Sequence, residues 1–181
     1  MERNIALIAL FAALIAALGL VPSITLGLGV PISAQTLGVM LAGTVLGSKR
    51  GALAALLVVL LVALGLPLLA GGRGGIGVFS GPTVGFLLGW PVGAFVTGLI
   101  VERWRTAHLA IVAAVASVIG CILVIYAMGI VGMMIVLDLT PVQAAYGTMP
   151  FIPGDILKAV IAGLLTAAIY KARPQAVLSR Q

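Results

Sequence analysis

Ten basic and four acidic side chains are all the charge carried by 181 residues, 62% of the residues are hydrophobic, and the mean hydropathy is +1.32. A soluble domain has roughly 25% charged residues, so this composition excludes a water-solvated fold and points to helices packed inside lipid. The net charge of +6 does not indicate nucleic acid, because the basic residues stand in ones and twos between apolar runs and form no continuous basic face.

A helix that crosses a bilayer needs about 20 mostly apolar residues. Prolines, glycine clusters and charges divide the chain into six such runs, near 5–21, 34–48, 51–69, 83–101, 108–135 and 154–171. The expected fold class is an all-α membrane protein: one membrane domain over residues 1–181, built as a compact bundle of six transmembrane helices. The first run follows Arg3 and has the outline of a signal peptide, but comparable runs recur along the chain, so it is read as a span that is retained. Ala9, Ala13 and Ala17 repeat along it at intervals of four, with Ala12 and Ala16 in a parallel row. Gly43, Gly47 and Gly51 share that spacing, as do Gly85, Gly89 and Gly93. Small residues spaced this way let helix backbones approach closely in lipid, where no strong hydrophobic drive holds spans together. From the residues alone these rows indicate packing inside the bundle, with a docking face for a separate subunit as the alternative.

Near the outer end of the second run, Gln35 follows Pro31-Ile-Ser-Ala. Its amide has two donors and an acceptor to satisfy, which a neighbouring backbone or a polar cavity would serve equally. The loop after the third run, 70–82, holds the densest glycine cluster and Arg73. It contains G-x-G-x-x-G at Gly72, Gly74 and Gly77, but no βαβ unit surrounds it, and no Walker A lysine pattern occurs anywhere, so neither dinucleotide binding nor ATP hydrolysis follows. Glycines here allow positive φ and close approach of backbone N–H groups to a small ligand, and Arg73 offers a fork of donors. Phe79 and the turn Gly81-Pro82-Thr83 give the loop a defined course, so it is predicted to be re-entrant or lid-like. The fifth run is long, and Gly120, Gly129 and Gly132 predict a tilt or a break in it. The lone Cys121 has no disulfide or metal partner in the sequence.

In the sixth run, Pro153 and Gly154 suit a helix start, Asp155 suits its first turn, and Lys158 follows at i+3 on the same face. Ionisable groups at membrane depth are costly and usually face a cavity, so the pair reads as a binding site, against the plainer reading of a capping Asp and a snorkelling Lys. Tyr146, Trp90 and Trp104 suit interfacial anchoring as well as ligand contact, and His108 beside Arg103 and Arg105 belongs to the inner interface.

With the N-terminus inside, Arg3, Lys49, Arg50, Arg103, Arg105, Lys171, Arg173 and Arg180 all fall on the cytoplasmic side, eight of the ten basic residues. Both termini are therefore predicted to be cytoplasmic. Glu2 and Glu102 also fall inside, so that only Arg73, Asp138, Asp155 and Lys158 remain outside. No H-E-x-x-H, Cys/His cluster or Ser-His-Asp arrangement on one side is present, which points to a binder, not an enzyme, with no cofactor and no metal site.

Three segments in this order, 31–43 (PISAQTLGVMLAG), 79–85 (FSGPTVG) after the glycine loop, and 153–158 (PGDILK), resemble the BioY family, the biotin-specific S components of energy-coupling factor (ECF) transporters. The resemblance covers essentially the whole chain. It implies a multi-pass protein of the bacterial cytoplasmic membrane that binds biotin near the outer face and serves as the substrate-specific subunit in its uptake. Another vitamin, or a non-transport scaffold, is the alternative. The implied partners are an ECF transmembrane T subunit, docking on Ala9, Ala13 and Ala17, and ATPase subunits, with room for a homo-oligomer and no role for nucleic acid. The implied binding residues are Gln35, Arg73, Gly74, Gly75, Phe79, Gly81, Tyr146, Asp155 and Lys158. Biotin has two ureido N–H donors, a ureido carbonyl and a carboxylate, which asks for an acceptor such as Asp155 and cationic donors such as Lys158 or Arg73.

Overall fold

The structure is a computed structural model that describes residues 2–25 and 30–181. Its helices are α1 (Glu2–Ala17), α2 (Gln35–Leu46), α3 (Ser48–Ala63), α4 (Val84–Arg103), α5 (Leu109–Ser117), α6 (Ile125–Leu137), α7 (Pro141–Thr148) and α8 (Ile152–Ala172). The one sheet among the described residues is a two-residue antiparallel pair, β1 (Ile24–Thr25) with β2 (Pro31–Ile32), in which Ile24 faces Ile32. The all-α expectation holds. Four helical stretches are long and apolar enough to cross a membrane: Glu2–Leu20, Val84–Arg103, Leu109–Leu137 and Pro141–Ala172. The second and third apolar runs form shorter helices. α2 has 12 residues and α3 has 16, which at about 1.5 Å per residue is less than the ~30 Å hydrocarbon core. α3 stops at Ala63, so the apolar residues Leu64, Leu66, Pro67, Leu68 and Leu69 belong to the connecting loop.

α2 and α3 meet end to end at Gly47, whose φ of +87° is open to glycine and strained for other residues. The first amides of α3 would be orphaned there. Glu102, at the end of α4, caps them from another helix: its carboxylate accepts from the Ser48 amide (2.7 Å) and the Ser48 hydroxyl (2.9 Å). The charge pattern alone assigns Glu102 to the inner side and does not reveal this role.

The long fifth run is continuous. Between α5 and α6, Val118–Val124 winds as a π-helical stretch, so the predicted tilt or break is an inserted residue within an unbroken helix. The wider turn exposes the Ala116 carbonyl to the buried Thr97 hydroxyl of α4 (3.2 Å), which also lies 3.5 Å from Cys121 Sγ. The glycine rows lie inside. Gly85 rests on Met128 and Gly129, Gly89 on Ile125, and Gly93 on Gly120 and Ile125. Ala9, Ala13 and Ala17 instead face outward, while the parallel row contributes Ala12 to the core beside Ile15.

One end of the bundle is laced together by polar contacts. The Arg3 guanidinium donates to the Gln175 carbonyl, Arg105 Nη2 to the Gln181 carbonyl (3.2 Å), and Ser179 Oγ to the Thr44 carbonyl (2.5 Å). The basic residues assigned to one side of the membrane thus gather at this end. The opposite end carries the loop between α3 and α4, the start of α8, and the site described next.

Candidate functional site

The site forms where helix starts converge. Pro153 at the second position of α8 and Asp155 in its first turn place a carboxylate where a helix N-terminus favours negative charge. The residue is buried, 4% exposed, and its acceptors are matched to donors from two other helices. Tyr126 of α6 donates to Asp155 Oδ2 (2.6 Å), and Thr36 of α2 donates to Oδ1 (3.0 Å). Lys158 Nζ lies 2.8 Å from Asp155 Oδ1 as an ion pair and also donates to the Ser33 carbonyl (2.5 Å) and to Thr36 Oγ1 (3.0 Å). An ammonium has three N–H bonds, and here each has an acceptor in the protein. With Thr36 and Lys158 on Oδ1 and Tyr126 on Oδ2, the carboxylate retains one unused lone pair, on Oδ2, so this corner of the site is an acceptor.

These groups edge a cavity enclosed between α2, α4, α6 and the start of α8. Its walls are mainly apolar and aromatic, with Phe86, Leu87 and Trp90 of α4, Ile125 of α6 and Phe151 among them. Phe86 meets the Tyr126 ring edge-on, with centroids 6.1 Å apart and an interplanar angle of 75°, which fixes the ring that carries the hydroxyl. The second polar corner is Arg73. Its Nε donates to the Ala70 carbonyl (3.2 Å), and among the described residues its terminal nitrogens have no protein acceptor. Burial pulls the Arg73 pKa below the ordinary guanidinium value, but such a group keeps its charge across the working pH range.

The structure therefore brings Gln35, Arg73, Asp155 and Lys158 to one cavity. Gln35 lines the cavity and also bonds to neighbouring backbone, so both of its sequence alternatives are present. Nε2 donates to the Ile15 (3.2 Å) and Leu68 (3.0 Å) carbonyls, and Oε1 accepts from the Ala70 amide (2.9 Å). The side chain ties the α3–α4 loop to α1, and its donors are fully used. Gly74, Gly75, Phe79, Gly81 and Tyr146 are not in the cavity wall. Gly74 is packed on the Leu66–Pro67 backbone, and the Gly75 amide donates to the Val62 carbonyl (2.8 Å), so these glycines fold the loop back on the end of α3. Phe79 packs against the core from a 3-10 turn, and Gly81 closes that turn. Tyr146 lies on α7, a helix absent from the sequence reading, and is 64% exposed. Thr36, Tyr126 and Thr83 were missed. A polar residue at depth in an apolar run was the available signal for Tyr126, and Thr36 sits beside the chosen Gln35.

A model of the BioY family matches residues 2–175. The chain is 57% identical to the biotin transporter BioY of Rhodobacter capsulatus, with 99% of this chain and 100% of that protein covered, and 53% identical to the biotin transporter BioY of Rhizobium etli, with 95% of each covered. Its fold superposes on the crystal structure of the S-component for biotin from an ECF-type ABC transporter with a TM-score of 0.88 at 26% identity, covering 94% of this chain and 92% of that one. The similarity runs through every element described above, and the chain belongs to the BioY family.

Proposed function

We propose that this protein captures biotin in the cavity beside Asp155 and serves as the substrate-specific subunit of an ECF-type transporter that takes it up. The observation that carries the reading is the division of the cavity into a carboxylate corner with a spare lone pair and a guanidinium corner with spare donors, separated by aromatic and aliphatic walls. Biotin has the complementary pattern: urea N–H donors at one end, an apolar bicyclic body, and a carboxylate at the other. Asp155 accepts from the ureido N–H. Arg73 meets the carboxylate, because Lys158 has no proton left to offer while it holds Ser33, Thr36 and Asp155. Lys158 sets the carboxylate's position and balances its charge. Gly74, Gly75, Phe79 and Gly81 act one step removed, by shaping the loop that carries Arg73. Tyr146 anchors α7 at the membrane interface, a role its exposure favours over ligand contact.

The bundle crosses the bacterial cytoplasmic membrane six times, with α2 and α3 as the short crossings and both termini inside, as the gathering of basic residues at one end supports. Residues 1–181 act as one domain. The exposed Ala9, Ala13 and Ala17 face is where a transmembrane T subunit docks, with the ATPase subunits behind it.

Titration of the purified protein with biotin in detergent tests the site. Asp155→Asn removes the charge from the hydrogen bond and is expected to weaken binding by ten- to a hundredfold, equivalent to about 1.5–3 kcal/mol, with cooperative thermal unfolding retained. An unchanged Kd for that variant would remove Asp155 from the site and with it the main support for the reading.

A further inference from the structure

Most buried polar side chains among the described residues have a hydrogen-bond partner, from Gln35 and Thr44 to Asp155, Thr166 and Ser179. Two residues depart from this: Arg180, whose Nε and Nη2 are buried without a partner at the end of the bundle away from the site, and Thr83. Thr83 is 7% exposed, and its Oγ1 has no partner among the described residues. It stands at the N-cap position of α4, where a threonine hydroxyl ordinarily accepts from an amide in the first turn, yet it makes no such bond. It also lines the cavity that holds Asp155 and Arg73. A buried hydroxyl left unpaired destabilises a fold, and its persistence calls for a partner the protein does not supply.

We propose that the Thr83 hydroxyl is a direct hydrogen-bonding contact to the captured ligand. The inference rests on the ligand-capture reading above and adds to it a third polar corner, contributed by α4. The start of this 20-residue helix carries partial positive charge, so the hydroxyl sits where a ligand oxygen is the favoured partner and donates its proton to it.

The two alternatives for this threonine, ligand contact and helix cap, differ in sign. Thr83→Val keeps the shape and removes the hydroxyl. For a ligand contact, the variant without ligand melts at the same temperature as the parent or higher, since a buried unpaired group is gone, while biotin binds on the order of tenfold more weakly. Thr83→Ser restores the hydroxyl and returns the affinity to within about threefold of the parent. Calorimetric titration and thermal unfolding of the detergent-purified full chain supply both readings. Unchanged biotin affinity in Thr83→Val overturns the contact, and so does a lower melting temperature without ligand that Thr83→Ser reverses, because that result assigns a capping role. A parent protein that binds no biotin at all overturns the capture reading and this contact together, an outcome recognisable before any variant is made.

Discussion

Gly85, Gly89 and Gly93 on α4 and Ala9, Ala13 and Ala17 on α1 repeat at the same interval, yet the glycines are buried against α6 and the alanines face outward. The spacing makes a row in both cases; what lies across from it decides its use. On α4 the absence of a Cβ lets two backbones touch, and a methyl at Gly93 would stand 2.6 Å from Ile125 Cγ1 and 2.8 Å from the Gly120 carbonyl oxygen. On α1 the methyls remain and, among the described residues, no helix covers them, which leaves a flat, small-residue surface flanked by the exposed Ile5 and Leu10. Glycine rows close a bundle, and alanine rows facing out leave a place for a neighbour.

Three substitutions to leucine break or sharpen that contrast. The largest effect is expected for Gly93→Leu, which drives a side chain into backbone and should cost about 3 kcal/mol or more, read as loss of cooperative thermal unfolding and of biotin binding together. Ala12→Leu is intermediate. This residue is 4% exposed against the core, so overpacking should cost about 1–3 kcal/mol and lower the melting temperature, with binding retained. Ala13→Leu, one residue further on, should change the melting temperature and the Kd least of the three, yet reduce biotin uptake by cells that express the energising subunits. Equal destabilisation by Ala12→Leu and Ala13→Leu would show that the outward alanine row is covered after all.

Helix class, the order of the runs and the pairing of Asp155 with Lys158 were legible because each depends on local pattern: apolar length, proline and glycine punctuation, and an i,i+3 spacing. Where the short helix α7 begins was not legible, although Thr140 and Gln143 form a capping box around Pro141, because eight residues of mixed polarity carry little periodic signal. The three backbone partners of Gln35 come from 20, 33 and 35 residues away, and no local pattern encodes them. The glycine loop drew attention by composition, but only Arg73 and Ala70 from its span 70–82 reach the cavity wall, since Gly74 and Gly75 are engaged with the end of α3. Glu102 shows the same limit on the inner side: its charge located it, while its action as a cap for α3 depends on a helix more than fifty residues earlier.

The π-helical turn at Val118–Val124 sets a tolerance for insertions and deletions. One residue more or fewer in a helix rotates everything after it by about 100° and shifts it by about 1.5 Å. Before the turn, Val112, Ala113 and Ala116 pack with Val101; after it, Ile125 and Tyr126 face the cavity and Gly129 and Gly132 meet α4. A regular α-helix with the same number of residues would satisfy the first group and swing the second away, taking the Tyr126 hydroxyl off Asp155. The π turn absorbs the one surplus residue, so deleting a single residue there should return the stretch to α geometry with both faces kept, whereas the same deletion in α5 or α6 would turn one face away from the other.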